Sequence, residues 1–385
     1  MIKNLLTLSS LILLFNSCAQ APEKQIETKK KPVVTLPEVK TAYTLSDFLN
    51  ENKQLDQDVD AMFKSLDDTA IVAQLLMPAI GRLGQTEATI QKLIRARKIG
   101  GLLMLNGTKE GFTTWISDFN AINDSLGNPA FLYAADAEPS LVNKKIIGST
   151  PVKKANELKN VEEVIACADT ISMNLKAIGI NYNFAPVVDM SPNKTVGYRS
   201  FGAVPANIIP WSNAFIMETQ KNGIIATAKH FPGHGLVSGD THKSLQMIDG
   251  ELKEIKYYPQ LIEDGVLSIM IGHLAVTNNA KYDTKGLPAT LSSVIVTDLL
   301  RKEMKFKGLI VTDAMNMGGV TAVPQCDLKA VEAGNDIVLM PVNADKAFAD
   351  ILKKYRSDTA FKAQVNESAK RVLRMKLCVG AVVRK

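Results

Sequence analysis

IIATAKHFPGHGLVSGDTH, residues 224–242, begins as a β-strand and ends as a loop, and that transition decides the fold. Ile224–Phe231 is short, apolar and β-favouring, and Lys229 and His230 sit near its C-terminal end. Pro232 and Gly233 then rule out both a continuing central strand and a regular helix. Seven further runs have the same character: Leu75–Ile80, Gly101–Asn106, Phe131–Asp136, Tyr182–Asp189, Ser268–Val276, Gly308–Asp313 and Asp336–Met340. Helical periodicity fills the intervals. Over Glu162–Ile178 the apolar Val164, Ile165, Ala168, Ile171, Leu175 and Ile178 fall near one face, and Ser292–Met304 is expected to open on a serine cap. Strands alternating with helices predict βα units and a parallel sheet. Eight strands, each followed by a helix, point to the α/β class and a single (β/α)8 TIM-type barrel. A doubly wound open sheet is the alternative, but no Gly-rich dinucleotide fingerprint follows the first strand.

Polar and ionisable residues collect at the C-terminal ends of these strands: Asp136, Asp189, Lys229 with His230, His273 and Asp313. Barrel active sites are built on that rim. Charges that merely end strands would not place three of the chain's four histidines, His230, His234 and His242, within thirteen residues.

The 385 residues suit one α/β barrel of about 250 residues with insertions, or two average domains. A composition of 46% hydrophobic and 22% charged residues is globular rather than disordered or fibrous. The formal charge of +6 is no nucleic-acid footprint, because five lysines lie within Glu23–Lys40 and no basic stripe appears elsewhere.

Residues 1–17 read as an export signal, with a positive start, the apolar run Leu5–Phe15 and a small residue before Cys18. The run falls short of the ~20 apolar residues that span a bilayer. The placement resembles a bacterial lipoprotein signal, in which Cys18 becomes the lipidated first residue, although Phe15 and Asn16 depart from the usual lipobox. A secretory signal that happens to contain a cysteine is the alternative. Residues 18–43, rich in Lys, Pro, Thr and Glu, are expected to form a flexible tether, and 44–385 the catalytic body. The expected location is the cell envelope, lipid-anchored and facing the periplasm or the cell surface. Cys167, Cys326 and Cys378 are isolated, encode neither a zinc site nor a disulfide framework, and are expected to be buried, inert thiols.

His230 and His234 are four apart, as zinc ligands on a helix would be, but Pro232–Gly233 breaks any such helix. The favoured reading is a strand end that delivers Lys229 and His230 to a pocket, followed by a glycine-hinged loop that carries Asp240 and His242 over it. One residue separates Asp240 from His242, so the carboxylate can bond one imidazole nitrogen and fix its tautomer. An unperturbed imidazole pKa of ~6.5 then suits giving and taking a proton near neutrality. By spacing alone, a solvated loop histidine would look the same.

KHFPGHG at 229–235, followed after four residues by Asp240-Thr241-His242, resembles the glycoside hydrolase family 3 β-N-acetylglucosaminidases, whose bacterial members act in peptidoglycan recycling. Similar stretches run along the chain: IGGLLMLNG at 99–107, LKAIGINYNFAPVVDMSPN at 175–193, GYRSFG at 197–202, IMIGHLAV at 269–276, LPATLSSVIVTDLLRKEMKFKGLIVTDAMNM at 287–317 and EAGNDIVLMP at 332–341. The resemblance implies a retaining, exo-acting β-N-acetylhexosaminidase that works through a glycosyl-aspartate, needs no cofactor or metal, and takes an N-acetylglucosamine-containing glycan or muropeptide. It implies Asp313 as nucleophile, His242 as general acid/base and Asp240 as its partner. Arg199, Lys229, His230 and Asp136 correspond to residues that grip sugar hydroxyls, and His234 to a brace for the loop. Read from the residues alone, Asp313 could equally be a helix N-cap after its strand.

Where the family usually has Asp-Gln-Glu-Gly-Gly, this chain reads Asp136-Ala137-Glu138-Pro139-Ser140, which changes the loop's allowed backbone angles and puts a subsite wall in doubt. Leu236 stands where the family often has Asp. Two other functions stay open: a glycoside phosphorylase, since a histidine acid/base tolerates phosphate better than a carboxylate would, and a catalytically silent glycan-binding lipoprotein.

Overall fold

The computed structural model describes residues 42–381, apart from 191 and 203. The expected signal, Cys18 and the expected tether up to residue 41 lie outside the described residues. Tyr43 is buried, and its hydroxyl donates to Asp58 Oδ2 at 2.6 Å.

The β-favouring runs assemble into one curled, all-parallel sheet. In hydrogen-bonded order its strands are Leu309–Thr312, Ser268–Ile271, Ile225–Phe231, Tyr182–Asn183, Leu132–Ala135, Gly101–Met104 and Ala79–Ile80. Both edges of this sheet reach the same segment. Ile337 bridges Val311 on one side, while Val338–Leu339 pairs in parallel with Leu76–Met77, immediately before Ala79. Every strand is buried on both faces, as the near-continuous apolar runs require of a parallel sheet covered by helices.

Several strands are shorter than their apolar runs. Pro78, which has no N–H to donate, splits the first into two residue pairs. Pairing of the Tyr182–Asp189 run ends at Asn183, after which Val187 makes single bridges to Ser200 and Lys229. The Ser268–Val276 run breaks at Gly272–His273, and its second half, Leu274–Thr277, pairs with Gln246–Asp249 outside the curled sheet. In the last two cases the backbone leaves the ladder at the C-terminal end of the strand.

The helix Val161–Ile178 starts where the Asn160 side chain accepts from the Glu163 N–H and ends at Gly179, whose φ of 95° is left-handed. It buries Val164, Ala168, Ile171, Leu175 and Ile178, a spacing of three and four residues. Removing Leu175 beyond Cβ would cost about 2–5 kcal/mol. Ile165 does not share that face: it is solvent-exposed, one residue off the stripe. The expected serine-capped helix at 292–304 is Val294–Glu303, a π-helical segment. Ser293 at its N-cap makes no side-chain capping bond, because the Ser292 carbonyl accepts the Ile295 and Val296 N–H groups instead. Cys167, Cys326 and Cys378 are buried free thiols, and burial pushes Cys167 and Cys378 up to about 12 and Cys326 to about 11. Such thiols yield almost no reactive thiolate.

Candidate active site

A cavity of about 500 Å³ opens at the C-terminal ends of the strands. It brings together the eight residues to which the resemblance assigns a part in the site: Asp136, Arg199, Lys229, His230, His234, Asp240, His242 and Asp313. Leu103, Leu105, Met270 and Leu339 supply apolar wall beside this polar set.

One side of the cavity is a network of fixed charges. Lys229 Nζ lies 3.0 Å from Asp136 Oδ1 and 2.5 Å from Glu138 Oε1. Lys145 Nζ lies 2.6 Å from Asp136 Oδ2, and Arg199 grips Glu138 with two bonds, Nε at 2.8 Å and Nη2 at 2.7 Å. Burial would raise both carboxyls, but Lys145 and Lys229 hold Asp136 well below the usual carboxylate range. Against the same burial, Arg199 and Lys229 hold Glu138 at about 2. The cations are therefore held in fixed positions, so hydrogen bonds from them to a polar ligand would need little reorganisation.

Glu138, fully buried in the altered 136–140 loop, is the organiser that sequence reading missed. The loop itself is well held. Ala137 N–H donates to Asn183 Oδ1, while Ser140 Oγ donates to the Tyr198 carbonyl at 2.6 Å and accepts from Ala155 N–H. Glu138→Gln should leave Arg199 and Lys229 short of a counter-charge, lowering kcat/KM about 10²-fold through misplacement and stability by about 3–5 kcal/mol. Steady-state kinetics alongside a thermal melt tests this, and unchanged values in both would show that Glu138 does not orient the two cations.

Asp189, on the adjacent rim, accepts from His230 Nδ1 at 2.6 Å and from the backbone N–H groups of His230 and His234. Burial raises its carboxyl, yet these donors, His230 foremost, bring it below its ordinary value. With the Nδ1 proton committed to Asp189, His230 keeps Nε2 for other partners. His234 Nε2 meets Thr241 Oγ1 at 3.1 Å, which ties the start of the loop to its end.

Asp313 ends its strand with its N–H on the Ile271 carbonyl and its Oδ1 accepting from Ala314 N–H at 2.8 Å. No helix starts there; the next begins at Cys326, so Asp313 is not an N-cap. Burial favours its neutral form, but His230, His273 and the Ala314 N–H outweigh that and hold the carboxyl below its ordinary value. His273, expected on the rim, does not line the cavity. It is fully buried behind Asp313, with Nε2 on the Ala314 carbonyl and Nδ1 facing Thr290 Oγ1, both at 2.9 Å. Burial lowers its pKa, and its bond to the Ala314 carbonyl braces the backbone beside Asp313.

His242 Nδ1 lies 2.8 Å from Asp240 Oδ1, which also accepts the His242 backbone N–H. Burial raises the Asp240 carboxyl less than these His242 donors lower it. With 60% of its side chain exposed, His242 has Nε2 available for proton exchange at the mouth of the cavity. Two backbone bonds bring this pair to the loop that follows Asp313: Gly318 N–H to the His242 carbonyl and Gly319 N–H to the Thr241 carbonyl. A Cβ at Gly318 would stand 2.3 Å from the Lys243 carbonyl oxygen, so only glycine permits the approach. Asn193 holds the same loop through the Val237 and Gly239 carbonyls, and Glu254 accepts the N–H groups of Met190 and Leu236.

A family model described as the glycosyl hydrolase family 3 N terminal domain matches residues 68–375. A beta-hexosaminidase of Hydrogenovibrio crunogenus is 30% identical over 248 residues, 59% of this chain and 68% of that protein. Among solved structures, a glycoside hydrolase family 3 beta-N-acetylglucosaminidase from a Paenibacillus species superposes with a TM-score of 0.75 at 27% identity, covering 82% of this chain and 63% of that one. A beta-N-acetylhexosaminidase from Beutenbergia cavernae superposes with a TM-score of 0.72 at 26% identity, covering 80% and 98%.

Proposed function

The chain belongs to glycosyl hydrolase family 3, and we propose that it is a retaining, exo-acting β-N-acetylhexosaminidase built on a (β/α)8 TIM-type barrel. The observation that carries this reading is the meeting of two unlike groups at one cavity: an Asp313 carboxylate kept ionised and a His242 imidazole fixed by Asp240. Relatives and structural neighbours named as beta-hexosaminidases support the substrate class.

In the proposed reaction Asp313 attacks the anomeric carbon of a terminal β-linked N-acetylglucosamine while His242 Nε2–H protonates the departing oxygen. The products of this step are a glycosyl-aspartate and the freed alcohol. His242, now neutral, takes a proton from water as the water attacks the same carbon, regenerating the Asp313 carboxylate and releasing the sugar with its configuration retained. A histidine is neutral after donating its proton, so it adds no negative charge opposite the attacking carboxylate. Asp136, Arg199, Lys229 and His230 hold the sugar hydroxyls.

Peptidoglycan fragments are the proposed source of substrate, and the cell envelope, through a lipid on Cys18, the proposed location. Turnover of aryl β-N-acetylglucosaminide should exceed that of aryl β-glucoside by at least about 10²-fold, a margin set by polar groups that the wrong sugar would leave unpaired. Equal or reversed preference would refute the substrate class, and sugar 1-phosphate appearing on addition of phosphate would make the enzyme a phosphorylase. Cys18→Ala should lose acyl labelling and enter the soluble fraction; persistent labelling would rule out lipidation at that residue.

A further inference from the structure

At the opposite, N-terminal end of the strands a second cavity of about 590 Å³ lies among Phe48–Glu51, residues 305–307 and the C-terminal helix Thr359–Cys378. Three arginines reach it. Arg301 and Arg371 share the buried Asp336 carboxylate, Nη2 of one on Oδ2 at 2.7 Å and Nε of the other on Oδ1 at 3.0 Å. Arg374 is spent on Asp56 and on the carbonyls of Phe48, Asp47 and Asn50.

The donors are not used up. A guanidinium carries five N–H groups. Arg371 gives its Nε proton to Asp336 and a long 3.4 Å bond to Ser368, which leaves both Nη1 protons unspent. Lys305 and Lys307 line the same cavity, are exposed, and have no hydrogen bond or ion pair among the described residues. Against these five cations stand Glu51 and Asp56 at the wall and Asp336 behind, an excess of two positive charges. A planar guanidinium edge with two exposed ammonium groups, in a concavity, suits the anionic tetrahedral oxygens of a phosphate group.

We propose that this cavity is a binding site for a phosphate group, either free phosphate or the head group of an anionic phospholipid. The head-group source gains weight from position: Phe48–Glu51 follow within a few residues of the expected membrane tether. The inference is independent of the catalytic reading.

The test uses the full chain carrying Cys18→Ala, so that no acyl group contributes to membrane binding. Inorganic phosphate is titrated by calorimetry at low salt, and sedimentation is measured with phosphatidylcholine vesicles with and without phosphatidylglycerol. The double variant Lys305→Asn, Lys307→Glu removes no buried contact, and a thermal melt matching the parent verifies that. It should weaken binding of phosphate, of phosphatidylglycerol vesicles, or of both by about tenfold, with aryl-glycoside hydrolysis unchanged. Arg371→Gln should weaken it further. Binding of phosphate identifies the free ion as ligand, and binding of phosphatidylglycerol vesicles alone identifies the head group. No binding of either, or binding that the double variant leaves unchanged, would overturn the proposal.

Discussion

Asp313→Ala is expected to lower turnover of every substrate by about 10⁴-fold or more, whatever the leaving group, because no glycosyl-enzyme can form without the carboxylate. An activated aryl substrate is the decisive one. If protonation of the leaving group were the only service the protein provides, a nitrophenyl glycoside would still react, and turnover near that of the parent would remove Asp313 from the nucleophile's role. The variant should fold, since among the described residues the side chain's hydrogen bond is to the neighbouring Ala314 N–H. The pH dependence has a definite sign. Asp313 is held below the ordinary aspartate value, so it is ionised at and above that value, and an acid limb of kcat/KM at higher pH belongs to another group. The same depression stabilises the fold above the unfolded pKa of about 3.9 and is lost only as pH falls through the folded value. Asp313→Ala should therefore lose this contribution at neutral pH.

His242→Ala should divide the two steps rather than abolish both. A nitrophenolate departs with little protonation, so the glycosyl-enzyme still forms, while its hydrolysis, now without a base, slows by about 10²–10⁴-fold. Stopped-flow measurement should show an initial burst followed by a low steady rate. Azide needs no base, and adding it should restore turnover and yield a β-configured glycosyl azide. A mostly exposed imidazole leaves no cavity behind, so a folding defect would not imitate this pattern. Asp240→Asn should fall between the parent and His242→Ala: an amide oxygen can still accept both His242 donors, but it no longer supports the charged ring. Absence of both burst and azide rescue would take His242 out of the acid/base role.

Which residues face the cavity was legible in the sequence because a strand that ends at a rim is a local event. Lys229-His230 before Pro232-Gly233, and Asp313 after Leu309–Thr312, mark where a backbone must leave the ladder. Strand lengths were less legible. Val187 and Leu274–Thr277 are apolar and β-favouring whichever sheet, if any, they join, so the runs overstated the Tyr182 and Ser268 strands. Ile165 belongs to an apolar helix segment by type, but a one-residue step of rotation puts it in solvent. The partners of the recognised residues were the least visible. Nothing local distinguishes Glu138, Lys145 or Glu254 from other acidic and basic residues, because what makes them organisers is a donor or acceptor supplied by a distant segment.

By itself, then, the sequence determined the alternation of strands and helices, the residue types at each strand end, and the Asp240–His242 pairing, all consequences of near-neighbour chemistry. The tertiary structure alone decided that both edges of the sheet meet at Ile337–Leu339, and that one buried carboxylate, Glu138, orders Arg199 and Lys229. It also decided that the His242 loop lies against the loop after Asp313, so that both side chains line one cavity. That approach rests on backbone bonds from Gly318 and Gly319 to the loop carrying His242. A backbone bond between distant segments leaves no mark on residue type except a missing Cβ, and a glycine pair has that same appearance in any turn.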